Sequence, residues 1–141
     1  MRRPFDTSFV HSKQQLAITV SDIAADTILC MLIGDLDLAT TPQLEEKLAE
    51  ALQLAPSHLV LDMSEVEFLG SAGLNILTDL RTRQQAAGHH MAIVIGSNDK
   101  AARPLRITQL DRVLDLHTEL TTAVEACRIR RRPDISRMPQ P

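Results

Sequence analysis

Short aliphatic runs alternate with stretches of helical periodicity along this chain, and this alternation constrains its fold more than any other feature. The first two runs, residues 16–21 and 27–34, are separated by a short turn at residues 22–26 and predict a β-hairpin. The order that follows is β-β-α-β-α-β-α-β-α. Strands that alternate with helices favour right-handed crossovers between parallel neighbours. The sequence therefore predicts the α/β class: a small sandwich whose mixed, mainly parallel β-sheet is packed by about four helices.

Helix start and stop signals in the sequence set the limits of the later elements. Thr41 followed by Pro42 is the pattern of a helix N-cap and first turn, and that helix should end before Pro56. Pro104 lies inside a helical stretch that begins at Asn98, so this helix should be short or kinked. The other predicted strands are residues 58–63, 90–95 and 113–117, and the other helices are residues 71–87 and 118–127.

Aromatic residues are nearly absent. The 141 residues include no Trp or Tyr and only three phenylalanines, Phe5, Phe9 and Phe68. The core must therefore be almost wholly aliphatic. This composition argues against surfaces that stack unpaired bases on aromatic rings, so direct binding to single-stranded nucleic acid is not expected.

Charge divides the chain into three parts. Residues 128–141 carry five arginines against one aspartate, a net +4, and residues 1–14 carry a net +2. Because the whole chain has a net charge of −3, residues 15–127 carry −9. We expect a flexible N-terminal arm at 1–14, one domain at 15–127, and a basic, disordered tail at 128–141. An acidic body repels nucleic-acid phosphates and favours a basic protein surface as its partner, and the alternative is that the charge only keeps the domain in solution.

The two cysteines, Cys30 and Cys127, belong to no metal-binding spacing, so no metal site or cofactor is expected. The N-terminus lacks the apolar core of a signal peptide, and no run is long enough for a transmembrane segment. These features predict a cytoplasmic protein with buried, reduced thiols. Redox sensing through this pair is the alternative.

The segment from Leu59 to Leu77 carries the clearest chemistry. A strand ends in Asp62, and after a loop Gly70 and Ser71 meet the start of a helix. A hydroxyl at a helix N-cap can carry a phosphate, because unpaired backbone N–H groups and the positive end of the helix dipole face it. The local alternative is that Ser71 only caps the helix.

Four segments resemble the STAS domain of bacterial anti-sigma factor antagonists. They are GDLDLAT at 34–40, LVLDMSEVEFLGSAGL at 59–74, AAGHHMAIVIG at 86–96 and RPLRITQLDRVLDLH at 103–117. The resemblance spans residues 15–127. It implies a domain that binds an anti-sigma factor, itself a serine kinase, and so frees the sigma factor. It further implies that phosphorylation of one serine ends binding and that a serine phosphatase restores it.

The family motif Asp-Ser-(Ser or Ala)-Gly-(Leu or Ile) falls on residues 70–74, which puts the phosphoacceptor at Ser71. Gly70 departs from the motif, since an aspartate is usual there. Asp35 and Asp37 match the family's acidic loop, and Asp62 matches the carboxylate that closes the third strand. The local alternatives are a turn residue and a local cap, and for Asp62 structural support is as well founded as a functional role. The expected partner-binding residues are Asp35, Asp37, Phe68, Gly70, Ser71, Ala72 and Gly73. Phe68 is expected chiefly to act as a plug, that is, to pack its loop against the sheet, with direct partner contact as the alternative.

Other functional classes fit less well. The chain has no nucleophile elbow, zinc-protease or P-loop motif, and its five histidines show no metal spacing, so an enzyme is not expected. A phosphoacceptor receiver domain needs a lysine after its last strand, and none follows residues 113–116. Two alternatives keep the same fold: a STAS subunit of a lipid-transport or stress-signalling complex, and an antagonist regulated through Cys30 and Cys127.

Overall fold

A computed structural model describes residues 15–131, and the expected arm at 1–14, with Phe5 and Phe9, lies outside these residues. The described part contains five strands and four α-helices. In chain order they are β1 (Leu16–Ala24), β2 (Thr27–Leu36), α1 (Thr41–Leu52), β3 (His58–Leu69), α2 (Ser71–Ala86), β4 (His90–Val94), α3 (Asp99–Ile107), β5 (Asp115–His117) and α4 (Leu120–Arg131). This is the predicted order. Helix α4 continues four residues past the predicted domain end at 127, and residues 132–141 lie outside the described range.

The five strands form one sheet in the order β1-β2-β3-β4-β5. Strands β1 and β2 form the predicted antiparallel hairpin, and the other neighbouring pairs are parallel. Right-handed crossovers that step in one direction place their helices on one face of the sheet. Helices α1, α2 and α3 accordingly pack into a single core cluster, while α4 packs into a second cluster with the alternate residues of β2, β3 and β4.

The core is aliphatic, as the composition requires. On β2, Ile28, Cys30 and Leu32 belong to the larger cluster, whereas Leu29 belongs to the cluster under α4. This alternation follows from the period of two along a strand. A fully buried side chain such as Leu32 contributes about 1.5–3 kcal/mol through burial. The continuous apolar run of β2 is therefore explained by helices on both faces.

Strand β3 is twice as long as predicted, because the expected loop at 64–70 continues the strand to Leu69. Two register shifts against β2 make this possible, one between Met31 and Ile33 and one between Gly34 and Asp35. Each shift gives β3 an extra residue, and such bulges bend the strand and increase its twist. Asp62 organises the first bulge, since its Oδ1 accepts hydrogen bonds from the backbone N–H and the hydroxyl of Ser64, at 3.0 and 2.7 Å.

The C-terminal third also departs from prediction in detail. Helix α3 is short, with nine residues including Pro104, and Asn98 caps it by accepting a hydrogen bond from the Lys100 N–H. The predicted strand at residues 113–117 begins two residues late, because residues 113 and 114 continue the turn that follows a 3₁₀ helix at Leu110–Arg112, so β5 has three residues. The carboxylate of Asp115 in β5 lies between two histidines. Its Oδ2 is 2.9 Å from the Nε2 of His90 in β4, and its Oδ1 is 3.0 Å from the Nε2 of His117.

Candidate functional site

The site lies where the parallel strands β2 and β3 both end. Asp35 pairs with Phe68 and Leu36 with Leu69 in the last register positions, and the Gly70 N–H donates a 3.0 Å hydrogen bond to the Leu36 carbonyl. The carboxyl ends of parallel strands share one edge of a sheet, where loops hold binding groups on a rigid frame. This edge brings together the acidic segment after β2 and the segment that begins α2. All predicted partner-binding residues thus lie in two adjoining segments.

Ser71 is the first residue of α2, and Gly70 is the N-cap in an extended conformation. The prediction that Ser71 itself is the N-cap is wrong by one position. A glycine has no side chain to cap the helix, so no side-chain hydrogen bond closes this end. The Ser71 side chain is exposed. The first N–H groups of a helix have no partner within the helix, and they give this end a partial positive charge.

Gly73 allows α2 to approach β2 closely. A β-carbon at position 73 would lie 2.9 Å from the Leu36 β-carbon and 2.8 Å from the Leu69 Cδ1. Real β-carbons essentially never come this close to other heavy atoms. Gly73 therefore has a packing role, which sets the position of Ser71 relative to the acidic segment.

Carboxylates surround the end of β2. Partial burial, and then the charges of Asp37 and Glu67, raise the pKa of Asp35 above its ordinary value. Asp37 also shapes its own loop, because its Oδ1 accepts hydrogen bonds from the N–H groups of Ala39 and Thr40, at 2.9 and 3.0 Å. The Thr40 hydroxyl donates a 2.7 Å bond back to the Asp35 carbonyl. The acidic loop is thus held in a fixed shape beside the α2 N-terminus.

Phe68 is not the predicted plug. Its side chain is 51% exposed, so it does not fasten the segment onto the sheet. Leu69 performs that packing instead, because it is buried in the core between β3 and the helices. The Phe68 ring lies over the backbone of Gly70, where a β-carbon at position 70 would be 2.8 Å from the Phe68 Cε2. The aromatic ring thus fills the space beside Ser71 that a side chain at position 70 would occupy.

Asp62 lies away from this edge, buried in the sheet, and its bonds to Ser64 are local. These contacts give a local reason for the predicted structural support, which stays a prediction. Sequence reasoning missed a second support, Asn98, whose Nδ2 donates to the carbonyls of Met63 and Val66 at 3.1 and 2.7 Å. These bonds hold the bulged part of β3 against α3. The signal was present as a helix N-cap, but a cap pattern does not reveal contacts more than thirty residues away.

Cys30 and Cys127 are buried on opposite faces of the sheet, and the structure contains no disulfide between them. Burial raises the pKa of the Cys30 thiol to about 11. A direct Cys30–Cys127 disulfide would have to pass through the sheet, so this fold does not support the intramolecular redox alternative.

No group of three or more His, Cys, Asp or Glu side chains within residues 15–131 could hold a metal ion. No helix in the same range is long and apolar enough to cross a membrane.

The fold places the protein in the class of small α/β domains that have a mixed five-stranded sheet with helices on both faces. Residues 19–124 match the STAS domain family, and the chain belongs to this family. It is 33% identical over 113 residues to the anti-sigma-F factor antagonist RsfB of Mycobacterium tuberculosis, a match that covers 80% of this chain and 90% of that protein. The resemblance seen in the sequence is thereby confirmed.

Solved structures agree. An anti-sigma factor antagonist from Mycobacterium paratuberculosis superposes with a TM-score of 0.72 at 29% identity, covering 82% of this chain and 96% of that chain. The Bacillus cell fate determinant SpoIIAA in its phosphorylated form superposes with a TM-score of 0.60 at 15% identity, covering 78% and 99% of the two chains. At that identity the second likeness supports the fold alone.

Proposed function

We propose that this chain is an anti-sigma factor antagonist. It binds an anti-sigma factor that is also a serine kinase, through the edge formed by Asp35, Asp37 and residues 68–73, and so releases the sigma factor. Phosphorylation of Ser71 by that kinase ends the complex, and a serine phosphatase restores it. The relative RsfB, named an anti-sigma-F factor antagonist, supports the first part of this proposal.

The observation that carries the proposal is the position of Ser71. Its side chain is exposed at the first position of α2, on the edge that also holds Asp35, Asp37 and Glu67. A kinase can reach such a hydroxyl without unfolding the domain. The residues that would meet a partner are the same residues that would meet the phosphate.

The electrostatics explain how one phosphate could separate two proteins. In the unbound domain, attraction to the α2 N-terminus, about 0.3–1 kcal/mol, opposes repulsion of similar size from carboxylates that remain in contact with water, so the fold tolerates the charge. In a complex, a phosphate charge of about −1.5 to −2 would lose water while facing several carboxylates. Like charges brought together across an interface cost several kcal/mol. The phosphate therefore acts on binding much more than on folding.

The test measures binding of the full-length chain to each serine-kinase anti-sigma factor of the source organism by isothermal titration calorimetry. We expect wild type and Ser71→Ala to bind one of them with similar affinity, and Ser71→Asp to bind at least about tenfold more weakly. Incubation of that pair with ATP should phosphorylate wild type at Ser71, as mapped by peptide mass spectrometry, and should leave Ser71→Ala unmodified.

Gln85→Glu is the matched control. It adds one negative charge at an exposed position near the other end of α2 and should bind like wild type. If Ser71→Asp also binds like wild type, the switch is wrong while the antagonist function stands. If no anti-sigma factor binds the wild-type chain, the antagonist function itself is wrong.

A further inference from the structure

A groove of about 510 Å³ lies between the end of β3 and helix α3, next to the candidate site. Its apolar wall includes Phe68, Leu69, Pro104 and Ile107. Its charged lining residues form the rim of the groove and are the cations Lys100 and Arg103 and the carboxylates Glu67 and Asp99. Phe68 is 51% exposed and Ile107 is 71% exposed. Single exposed apolar residues are common on protein surfaces, but two large ones that line the same groove mark a surface that binds another apolar group.

The groove is continuous with the site at Ser71. Phe68 lines the groove, and the same ring lies over Gly70, directly before Ser71. Glu67 belongs to the carboxylate cluster that acts on Asp35, and it also forms an ion pair with Lys100 on the groove rim. A partner that covers Ser71 and the acidic segment therefore reaches the groove without crossing any other surface.

The rim supplies the charge that the partner must match. Lys100, Arg103 and Arg106 recur every three residues along α3 and form a basic stripe in an otherwise acidic domain. Lys100 forms an ion pair with Glu67. Arg106 forms one with Asp99, whose Oδ1 lies 2.7 Å from the Arg106 Nη2. Within residues 15–131, Arg103 forms no ion pair. Its guanidinium is positioned to bind a carboxylate from outside the chain.

We propose that this groove receives a large apolar side chain of the anti-sigma factor, on a segment that also carries a carboxylate for Arg103. The inference rests on the proposed function and extends it from the acidic edge to α3. The interface then has two ends of opposite sign, since carboxylates surround Ser71 and a cation flanks the groove. A partner with the complementary order of charges binds in one orientation only, which gives specificity beyond the serine itself.

Three variants of the full-length chain test the groove against the anti-sigma factor that wild type binds. Phe68→Ala should weaken binding at least about tenfold, because buried aromatic anchors dominate interface energy. Ile107→Ala should weaken it by about threefold to tenfold. Arg103→Glu should weaken it about tenfold and slow association, with the loss shrinking as salt is raised. All three side chains are exposed, so far-UV circular dichroism should show unchanged unfolding midpoints.

Two controls match these changes at exposed positions away from the groove. Leu54→Ala removes an apolar side chain after α1, and Arg112→Glu reverses a charge on the 3₁₀ turn; both should bind like wild type. If Phe68→Ala and Ile107→Ala bind like wild type while Ser71→Asp is weakened, the groove proposal is wrong and the proposed function stands. A wild-type dimer that Phe68→Ala converts to monomer in light scattering would assign the groove to a second copy of this chain. If the wild-type chain binds no anti-sigma factor, both the antagonist function and the groove proposal are wrong.

Discussion

Asp35 carries a charge close to two other carboxylates, and this arrangement costs the folded domain stability. Its pKa is raised by partial burial, by Asp37 and by Glu67, so the folded state holds the Asp35 proton more tightly than the unfolded chain does. Between the ordinary and the raised pKa, the folded state binds more protons, and the free energy of unfolding falls as pH rises through that window. We expect Asp35→Asn to be more stable than wild type at pH 7, by less than about 0.5 kcal/mol.

Far-UV circular dichroism is the suitable measurement for this change, because a chain without Trp or Tyr gives no useful intrinsic fluorescence. The advantage of Asp35→Asn should disappear below the ordinary aspartate pKa, where the wild-type side chain is also neutral. Asp22→Asn, which removes the same charge at an exposed position on β1, corrects for the change in net charge. Equal effects of the two variants at pH 7 would mean that the carboxylate cluster plays no part.

At the residue scale, the sequence located Ser71 but not its exact environment. The motif placed a phosphoacceptor at the start of a helix, and the structure moves the N-cap by one residue to Gly70. The orientation of Phe68 was not predictable from local sequence. A lone aromatic in an aliphatic domain is expected to be buried, and whether it is depends on the bulges of β3 and on the space left by Gly70. Both are contacts between segments, which no local pattern encodes.

At the scale of elements, Gly34 fixes the pairing of the β1–β2 hairpin. It has a φ of +117°, and a β-carbon there would lie 2.2 Å from the Gln15 carbonyl oxygen. That carbonyl also accepts a 3.0 Å hydrogen bond from the Asp35 N–H, so it cannot move away without loss of the bond. We expect Gly34→Ala to lower the free energy of unfolding by about 2–3 kcal/mol, measured by urea titration.

Gly88 provides the matched control for Gly34, because it shares the positive φ without the contact. Its φ is +77°, and a β-carbon there would have no heavy atom within 4 Å. Gly88→Ala should therefore cost only the backbone strain, about 1 kcal/mol. If the two alanine variants were equally destabilised, close contact with Gln15 would not be the reason for glycine at position 34.

The elements themselves were predictable where hydrophobic period and helix signals agree. The aliphatic strands, the α1 stripe and the left-handed Gly88 after α2 all carry such signals. The second half of β3 does not, because its polar residues alternate irregularly across two bulges that only the neighbouring strand explains. Strand β5 was predicted two residues too long, because the apolar residues Val113 and Leu114 extend the strand pattern although they lie in the turn between the 3₁₀ helix and β5.

At the scale of the whole molecule, the sheet separates two unequal cores. Helices α1, α2 and α3 cover one face with Cys30 beneath them, whereas α4 alone covers the other with Cys127. Because β2 lies inside the sheet between β1 and β3, we expect Cys30 to become accessible only when the domain unfolds as a whole. Cys127 lies near the end of the last helix, so detachment of α4 is sufficient to expose it.

These two thiols therefore report two different opening events, which timed alkylation with iodoacetamide at pH 8 and peptide mass spectrometry can separate. Cys127 should react first, while Cys30 should react slowly, because it is fully buried and burial raises the pKa of its thiol to about 11. When alkylation is slow relative to reclosing of the opened protein, the alkylation rate follows the free energy of opening. Gly34→Ala should then speed alkylation of Cys30 by about 30- to 150-fold, the equivalent of 2–3 kcal/mol, and change that of Cys127 much less.

An equal increase in the alkylation rates of both cysteines in Gly34→Ala would contradict the two separate opening events, because it would mean that α4 opens only with the rest of the domain. The same digest, prepared without reductant, tests the redox alternative. A peptide pair linked through Cys30 and Cys127 from the folded protein would require one of them to lie on the opposite face. Since the alternation along β2 fixes the face of Cys30 together with those of Ile28 and Leu32, such a link would overturn the assignment of the whole sheet.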